Sequence, residues 1–543
     1  MYTKDRDISA KICAKEASSV GKYVNPGTDN FQMSLGSEIY IDKSNLIVKT
    51  NALLRTRQRF ICISRPRRFG KTMAAEMLAA YYGIGEDANA LFKNLTIAKH
   101  PTYEKHLNKY NVLMVNVQMF LSQNESVKEM INDLQSTIIS ELMEIHPEVN
   151  YKNKNRFIQV LMDVYLHTKR PFVILIDEWD CLFREYKDDF DSQKKYLDFL
   201  RLWLKDQSYV GLAYMTGILP IKKYGSHSAL NMFSEYSMDH PRQFINYFGF
   251  EESEVKKLAE DYEVDFAEIE KWYNGYFTQI GTPIYNPTSV TDCLLSKEFA
   301  SYWSKTETYE ALKNYIMLDF DGLKDKITLM LTGASIEIET RSFANDMTSF
   351  ESADDVLTLL IHLGYLTYNF KDSTVQIPNE EVKGEFVIAI RSLKWGNVVD
   401  ALHNSDKLLK AIWNKEVDVV AKRIEKVHEQ NTSILEYNDE NSLSCVISLA
   451  LYSASDYYTI IREVPSGKGY ADLVFIPRKK HMDKPAIIIE LKWNKTVDGA
   501  IAQIKKKNYI SALEEYQGNL LLVGVNYDTK TKKHECVIEE WQM

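Results

Sequence analysis

Phe60–Thr72 reads FICISRPRRFGKT. The apolar run Phe60–Ile63 predicts a buried parallel strand. It enters a basic turn ending in Gly70-Lys71-Thr72, and the Ala-, Leu- and Met-rich stretch Met73–Tyr82 predicts a helix. Strand, loop, Gly-Lys-Thr and helix together form the layout of a phosphate-binding loop. Backbone N–H groups at a helix N-terminus point at an anion, and the helix dipole favours it. Gly70 lets the backbone approach phosphate, Lys71 reaches the β- and γ-phosphates, and the Thr72 hydroxyl suits Mg²⁺. The usual pattern, GxxxxGK[ST], has a glycine where this chain has Arg65, so only its second half matches. A surface turn between a strand and a helix is the bland alternative.

A second stretch strengthens the first. Pro171–Asp180 reads PFVILIDEWD, an apolar strand ending in Asp177 and Glu178. In loop-type ATPases the first such acid holds Mg²⁺ and the adjacent Glu polarises the attacking water. Two acids can also simply end a strand at the surface. Asn111–Phe120 and Val210–Gly217 are further strand candidates, and residues 121–170 have helical spacing. This alternation predicts a three-layer, mostly parallel α/β sheet. Thr216, ending the last of these strands, is the candidate polar sensor of the γ-phosphate; a strand-end Thr satisfied locally explains it equally well.

The chain has 543 residues, enough for two or three domains, with 45% hydrophobic and 26% charged residues. A net charge of −9 excludes a wholly basic nucleic-acid coat. The six cysteines are scattered, with no CxxC pair and no Cys/His cluster, which excludes a zinc ribbon and disfavours a disulfide framework. No apolar leader is visible, and no run approaches the ~20 residues a membrane span needs. These features predict a cytoplasmic protein. Residues 1–36 read as a loosely ordered extension, and Glu38–Val48 as a strand and helix leading to the loop.

Ser64–Thr72 (SRPRRFGKT) and Tyr40–Ser44 (YIDKS) resemble the bacterial AAA-ATPase-like family that usually carries a C-terminal PD-(D/E)XK nuclease domain. Its landmarks continue in order: TGILPI at Thr216–Ile221, FGFEESEV at Phe248–Val255, WYNGY at Trp272–Tyr276 and YNPTSV at Tyr285–Val290. That family's arginine-rich loop also lacks the first glycine. Where it tends to carry a Phe-Ser-Gly-Leu-Asn-Asn-like segment, this chain has Ser228–Met232 (SALNM). The resemblance implies ATP with Mg²⁺ bound by Arg67, Arg68, Phe69, Gly70, Lys71, Thr72, Asp177 and Thr216. Arg67, Arg68 and Arg242 are all compatible with an arginine finger.

Asp354–Leu363, ending at Gly364, predicts a helix, and Tyr365–Asn369 with Thr374–Ile377 a hairpin. Together they suggest a winged-helix-like element. Its hairpin tip is not strongly basic, so packing against the ATPase is favoured over nucleic-acid binding. Residues 396–430 read as a charged helical connector.

Residues 431–543 predict a small α/β domain in the order α-β-β-β-α-β. Asp472 lies near the start of one strand, and Glu490 and Lys492 lie on the next. Strand alternation places Glu490 and Lys492 on one face. Two carboxylates and a lysine suit Mg²⁺-assisted phosphodiester hydrolysis, with Asp472 and Glu490 as oxygen ligands and Lys492 orienting the water. Standing alone, this pattern is usually an ion pair on a strand face. Its context, with Gln503 on the following helix, resembles the PD-(D/E)XK superfamily, which implies Glu440 as a further acid. Lys468, Arg478, Lys479, Lys480, Lys495 and Lys505–Lys507 could contact DNA or RNA phosphates, or form a solvated face.

The expected organisation is an extension (1–36), an AAA-like ATPase domain (37–295), a helical and winged-helix-like region (296–430), and a restriction-endonuclease-like domain (431–543). The expected function is ATP hydrolysis coupled to Mg²⁺-dependent nucleic-acid cleavage, with Glu178, Asp472, Glu490 and Lys492 catalytic. No membrane partner is expected, and a homo-oligomer is compatible with the chain. The alternatives are a regulatory ATPase, or a nucleotide-binding scaffold, whose nuclease-like domain binds without cutting.

Overall fold

The structure is a computed structural model. It describes residues 20–221, 223–224, 227–228, 230–277, 281–303, 309–318, 320, 322–344, 347–348, 350–431, 440–466, 469–506 and 519–541. These form two compact units: Met1–Trp303 with Glu337–Glu381, and Ser304–Ile336 with Val382–Met543. The first unit is therefore discontinuous in sequence.

The first unit is built on a five-stranded, all-parallel sheet of β1 (Phe60–Ser64), β2 (Asn111–Asn116), β3 (Phe172–Asp177), β4 (Val210–Gly217) and β5 (Ser234–Tyr236), in the order β2-β3-β4-β1-β5. β1, β3 and β4 are buried along their whole length, as their unbroken apolar runs require. The register pairs Asn116 with Asp177 and Ile63 with Thr216. The polar residues thus collect at the carboxyl edge of the sheet, where α/β folds place their ligands. Helix α1 (Lys71–Tyr82) leaves that edge and packs on β2, β3 and β4. Its alanines allow the close approach.

Two expectations need correction. Glu38–Val48 contains no strand; an irregular stretch leads into a helix at Leu46–Leu53. Side chains replace strand pairing there. Asp42 accepts from Ser44 N (2.8 Å) and Thr96 N (2.6 Å), and Lys43 pairs with Glu254 at 2.8 Å. Residues 20–36, part of the stretch read as loosely ordered, are held in place by hydrogen bonds. Asn25 N donates to Val112 O and Met114 N to Tyr23 O, so this segment docks on β2.

Helix α2 (Ala353–Leu363) is capped by Ser352, whose hydroxyl accepts from Asp355 N, and stops at Gly364 with φ 87°. A hairpin of Thr367–Asn369 and Thr374–Gln376 follows. Helix and hairpin match the sequence expectation and belong to the first unit. A Cβ on Gly364 would lie 2.8 Å from Pro66 Cβ and 2.9 Å from the Trp303 ring, so α2 ends directly against the phosphate-binding loop. The buried Glu381 Oε1 accepts from Ser289 Oγ (3.0 Å), Tyr302 N (2.8 Å) and Trp303 N (3.1 Å), fastening together the two points, Trp303 and Glu381, at which the chain leaves this unit.

The second unit carries helices α3 (Gly396–Trp413), α4 (Val417–Asn431) and α5 (Glu440–Ala450) and a five-stranded sheet. Its strands, in spatial as in chain order, are β6 (Tyr458–Ser466), β7 (Gly469–Pro477), β8 (Ala486–Trp493), β9 (Leu520–Asp528) and β10 (Lys533–Glu540). Only β8 and β9 run parallel, and helix α6 (Val497–Lys506) bridges them as the crossover. Ile501 and Ile504 of α6 pack on Val474, Ala486, Ile488, Leu520 and Leu522. α4 packs on β10, where buried His428 Nδ1 and His534 Nε2 lie 3.0 Å apart. Among the described residues, no helix is long and apolar enough to cross a membrane.

Candidate functional site

The loop after β1 turns because Arg68 (φ 67°) and Gly70 (φ 83°) both adopt left-handed backbone. Arg65, standing where a glycine is usual, is buried. Its guanidinium donates to Ser64 O and Tyr236 O, both at 2.8 Å, and lies over the Phe248 ring. Burial lowers its pKa to about 10. This arginine therefore braces the loop from behind, clear of the phosphate side. Phe69 is buried edge-on against Tyr276, and Arg68 donates to Tyr302 O at 2.8 Å. Lys71 Nζ, also buried, donates to Arg65 O and Pro66 O, both at 2.9 Å. Burial lowers its pKa, while Glu178 and Asp177 favour its charged form.

Three chain segments meet at Asp177. Thr72 Oγ1, in the first turn of α1, donates to Asp177 Oδ2 at 2.7 Å. Thr216 Oγ1, at the end of β4, donates to Oδ1 of the same carboxylate. Asn116, ending β2, reaches Oδ2 at 3.4 Å. The structure thus brings together Lys71, Thr72, Asp177, Glu178 and Thr216. Of these, Lys71, Thr72 and Glu178 line a cavity of about 510 Å³, together with Arg67, Arg68, Phe69 and Gly70; Asp177 meets it through its hydrogen bond with Thr72, and Thr216 is buried behind Asp177. That volume falls within the range of small-molecule sites. Its lining also includes the apolar Ile39, Tyr40, Ile41, Met77 and Leu295, with the charged Glu38, Lys43 and Asp292. Arg242 is exposed and does not line it.

Glu178 sits just past the tip of β3 with φ 52°, a left-handed conformation that costs a non-glycine residue energy. It forms an ion pair with Arg184, whose Nε lies 3.4 Å from Asp180. Asp180 Oδ2 accepts from Ile218 N (3.0 Å) and Leu219 N (2.8 Å). Burial raises the Glu178 pKa, and Arg184 opposes that rise. Sequence reasoning missed Arg184 and Asp180. The only signal was the TGILPI stretch, whose backbone amides hold Asp180.

In the second unit, Glu490 and Lys492 lie on β8, both buried. Lys492 Nζ donates to Glu490 Oε1 at 2.9 Å, and Gln503 Nε2 of α6 donates to the same oxygen. β7 runs antiparallel to β8 with Leu473 opposite Ile489. The side chains of Asp472 and Glu440 lie outside the described residues. Among those described, no three His, Cys, Asp or Glu side chains gather as a metal site. Of the basic cluster, Arg478 donates to Tyr458 O and Lys505 pairs with Glu539. Lys480 and Lys495 are exposed, and the side chains of Lys468, Lys479, Lys506 and Lys507 lie outside the described residues.

Residues 26–226 match the family model described as a predicted AAA-ATPase, and residues 438–541 match that of the PD-(D/E)XK nuclease superfamily. A protein described as uncharacterized, from the vnfD 5' region of Azotobacter chroococcum mcd 1, is 27% identical over 258 residues. That match covers 45% of this chain, which spans 47% of the relative. The ORC2 protein of Aeropyrum pernix, solved in ADPNP–ADP complexes, aligns over 66% of this chain and 96% of its own. At 11% identity and a TM-score of 0.23, that likeness is too slight to weigh. The chain thus joins an AAA-ATPase-like domain to a domain of the PD-(D/E)XK nuclease superfamily.

Proposed function

We propose that the protein binds ATP with Mg²⁺ at the 64–72 loop and hydrolyses it, and that this cycle governs Mg²⁺-dependent cleavage of DNA or RNA by the C-terminal domain. The observation that carries the first half is the meeting of Thr72, Asp177 and Thr216 beside the cavity that Lys71 lines. Lys71 neutralises the terminal phosphates and Thr216 senses them. Glu178 takes a proton from the attacking water, and Arg67 and Arg68 supply further positive charge. The hydroxyl of Thr72 and the carboxylate of Asp177 are hard oxygen donors at hydrogen-bond distance, which fits a shared Mg²⁺. The bound ion neutralises charge developing on the phosphates.

In the C-terminal domain, Glu490 with Asp472 and Glu440 supplies the oxygen donors for Mg²⁺. Lys492 and Gln503 hold the Glu490 carboxylate in place, and Lys492 orients the water. The buried, hydrogen-bonded Glu490 fits a metal ligand, since an ionised carboxylate in such a place needs cationic partners. The domain limits 37–295, 296–430 and 431–543 belong to this reading. So does the cytoplasm, whose reducing conditions suit the free thiols of the five described cysteines.

Phosphate release by the wild type, Lys71→Ala and Glu178→Gln tests the ATPase; equal, negligible release from all three would remove it. Labelled DNA and RNA with Mg²⁺ test the nuclease. Cleavage that is lost in Asp472→Ala and Lys492→Ala supports it, whereas binding without cleavage leaves a regulatory ATPase.

A further inference from the structure

The geometry points to Arg68 as a reporter of nucleotide occupancy: it exchanges the Tyr302 carbonyl for a phosphate, and so loosens the two points at which the chain leaves the first unit. This rests on the reading of the 64–72 loop as the ATP site. Arg68 is half-buried and lines the cavity. Its Nη1 donates to Tyr302 O at 2.8 Å. The amides of Tyr302 and Trp303 in turn donate to Glu381 Oε1, at 2.8 and 3.1 Å. Tyr302, Trp303 and Glu381 are all buried. Trp303 is the last residue of the first unit before its interruption, and Glu381 is the last of its return. Arg68 is thus linked to both crossings through one residue, Tyr302.

The neighbours of Arg68 lead to the same place. Pro66 lies against Gly364, beside the Trp303 ring. Phe69 meets the edge of Tyr276, whose hydroxyl donates to Gly364 O at 2.5 Å. Asn379, just before Glu381, donates to Asn274 O at 2.7 Å. Pro66, Arg68 and Phe69 therefore all bear on segments next to the crossings, and of the three Arg68 alone carries a charge that a phosphate attracts. In the structure Arg68 holds a neutral acceptor. A phosphate is a charged one, and charge-assisted hydrogen bonds are about twice as strong. A nucleotide in the cavity therefore draws Arg68 from Tyr302 O. That carbonyl loses its donor, an unmet buried acceptor is costly, and the peptide shifts, weakening its hold on Glu381.

Hydrogen–deuterium exchange at the amides of Tyr302 and Trp303 tests this in the full chain. Wild type, Arg68→Ala and Glu381→Gln are compared, each checked for folding by its melting curve, with and without Mg²⁺ and a non-hydrolysable ATP analogue. Titration of a fluorescent analogue sets the occupancy for each. In the wild type, bound nucleotide should speed exchange at these two amides several-fold. Arg68→Ala should show the faster rate without nucleotide and gain nothing further with it. Glu381→Gln, with a neutral acceptor, should also exchange fast without nucleotide. The amides of β3 are the control and should not speed up in any of the three. Wild-type exchange that bound nucleotide leaves unchanged or slows overturns the proposal, as does slow exchange in nucleotide-free Arg68→Ala. Faster exchange at β3 in step with Tyr302 and Trp303 overturns it too, because that marks general unfolding. If the wild type binds no nucleotide, the ATP reading fails and the proposal with it, whereas binding without the change in exchange removes the proposal alone.

Discussion

The Thr72 hydroxyl donates to Asp177 Oδ2 across 2.7 Å, joining two residues 105 positions apart in the chain. A hydrogen bond to a charged group contributes about 1.5–3 kcal/mol. Thr72→Ala should therefore destabilise the first unit by about 1.5–3 kcal/mol and, with Thr72 read as a Mg²⁺ ligand, lower ATP hydrolysis as well. Titration with Mg²⁺ checks this: the variant should need more metal to reach half-maximal rate.

Lys71 lies against the carbonyls of Arg65 and Pro66, so it must turn from them to reach a phosphate. Lys71→Ala should weaken binding of a fluorescent ATP analogue by about tenfold or more, as loss of a charge-assisted contact does. Its melting temperature should fall as well, since the loop loses its internal brace.

Gly364 is a contact point between α2 and the loop. Gly364→Ala places a Cβ against Pro66 and Trp303 at φ 87°, so it should cost about 1–3 kcal/mol from backbone strain alone. Nucleotide affinity should drop with it, because Pro66 belongs to the loop. Denaturant melts and nucleotide titrations together check both effects.

Glu490 and Lys492 are buried partners. Lys492→Ala strands a buried carboxylate and should destabilise the second unit by about 3–5 kcal/mol. Glu490→Gln/Lys492→Met removes both charges and should recover much of that stability without recovering cleavage. Comparing melts with a nuclease assay separates the structural from the chemical contribution.

His534 has its pKa lowered to about 3 by burial beside His428, from an ordinary value of 6.5. Above pH 6.5 it is neutral whether folded or unfolded, so its site is fully stable there. As pH falls from 6.5 towards 3, the unfolded chain gains a proton that the folded one refuses, and stability declines. Melts across this range should show that decline, and His534→Gln should lessen it, with the part due to His428, also held low by burial, remaining.

How much of this was legible depended on whether the determinant was local. β1, β3 and β4 were readable because strands buried on both faces need unbroken apolar runs. Asp177, Thr216, Glu490 and Lys492 were readable because each sits on or at the end of such a run. β5, only three residues long, has no period to detect. The Ile39–Ile41 wall of the cavity resembled a strand, since β-branched residues look alike whether they pair or line a pocket. Arg184 carries no pattern at all; its meaning comes from Asp180, whose partners lie 38 and 39 residues away.

Residues 337–381 close the first unit only after 304–336 have been made. On a ribosome, the loop that ends in Lys71 waits for Gly364 and Glu381 to emerge before its surroundings are whole. A fragment stopped at 303 would therefore leave Pro66 and Trp303 bare, however complete its parallel sheet, and half-made chains should be poor nucleotide binders.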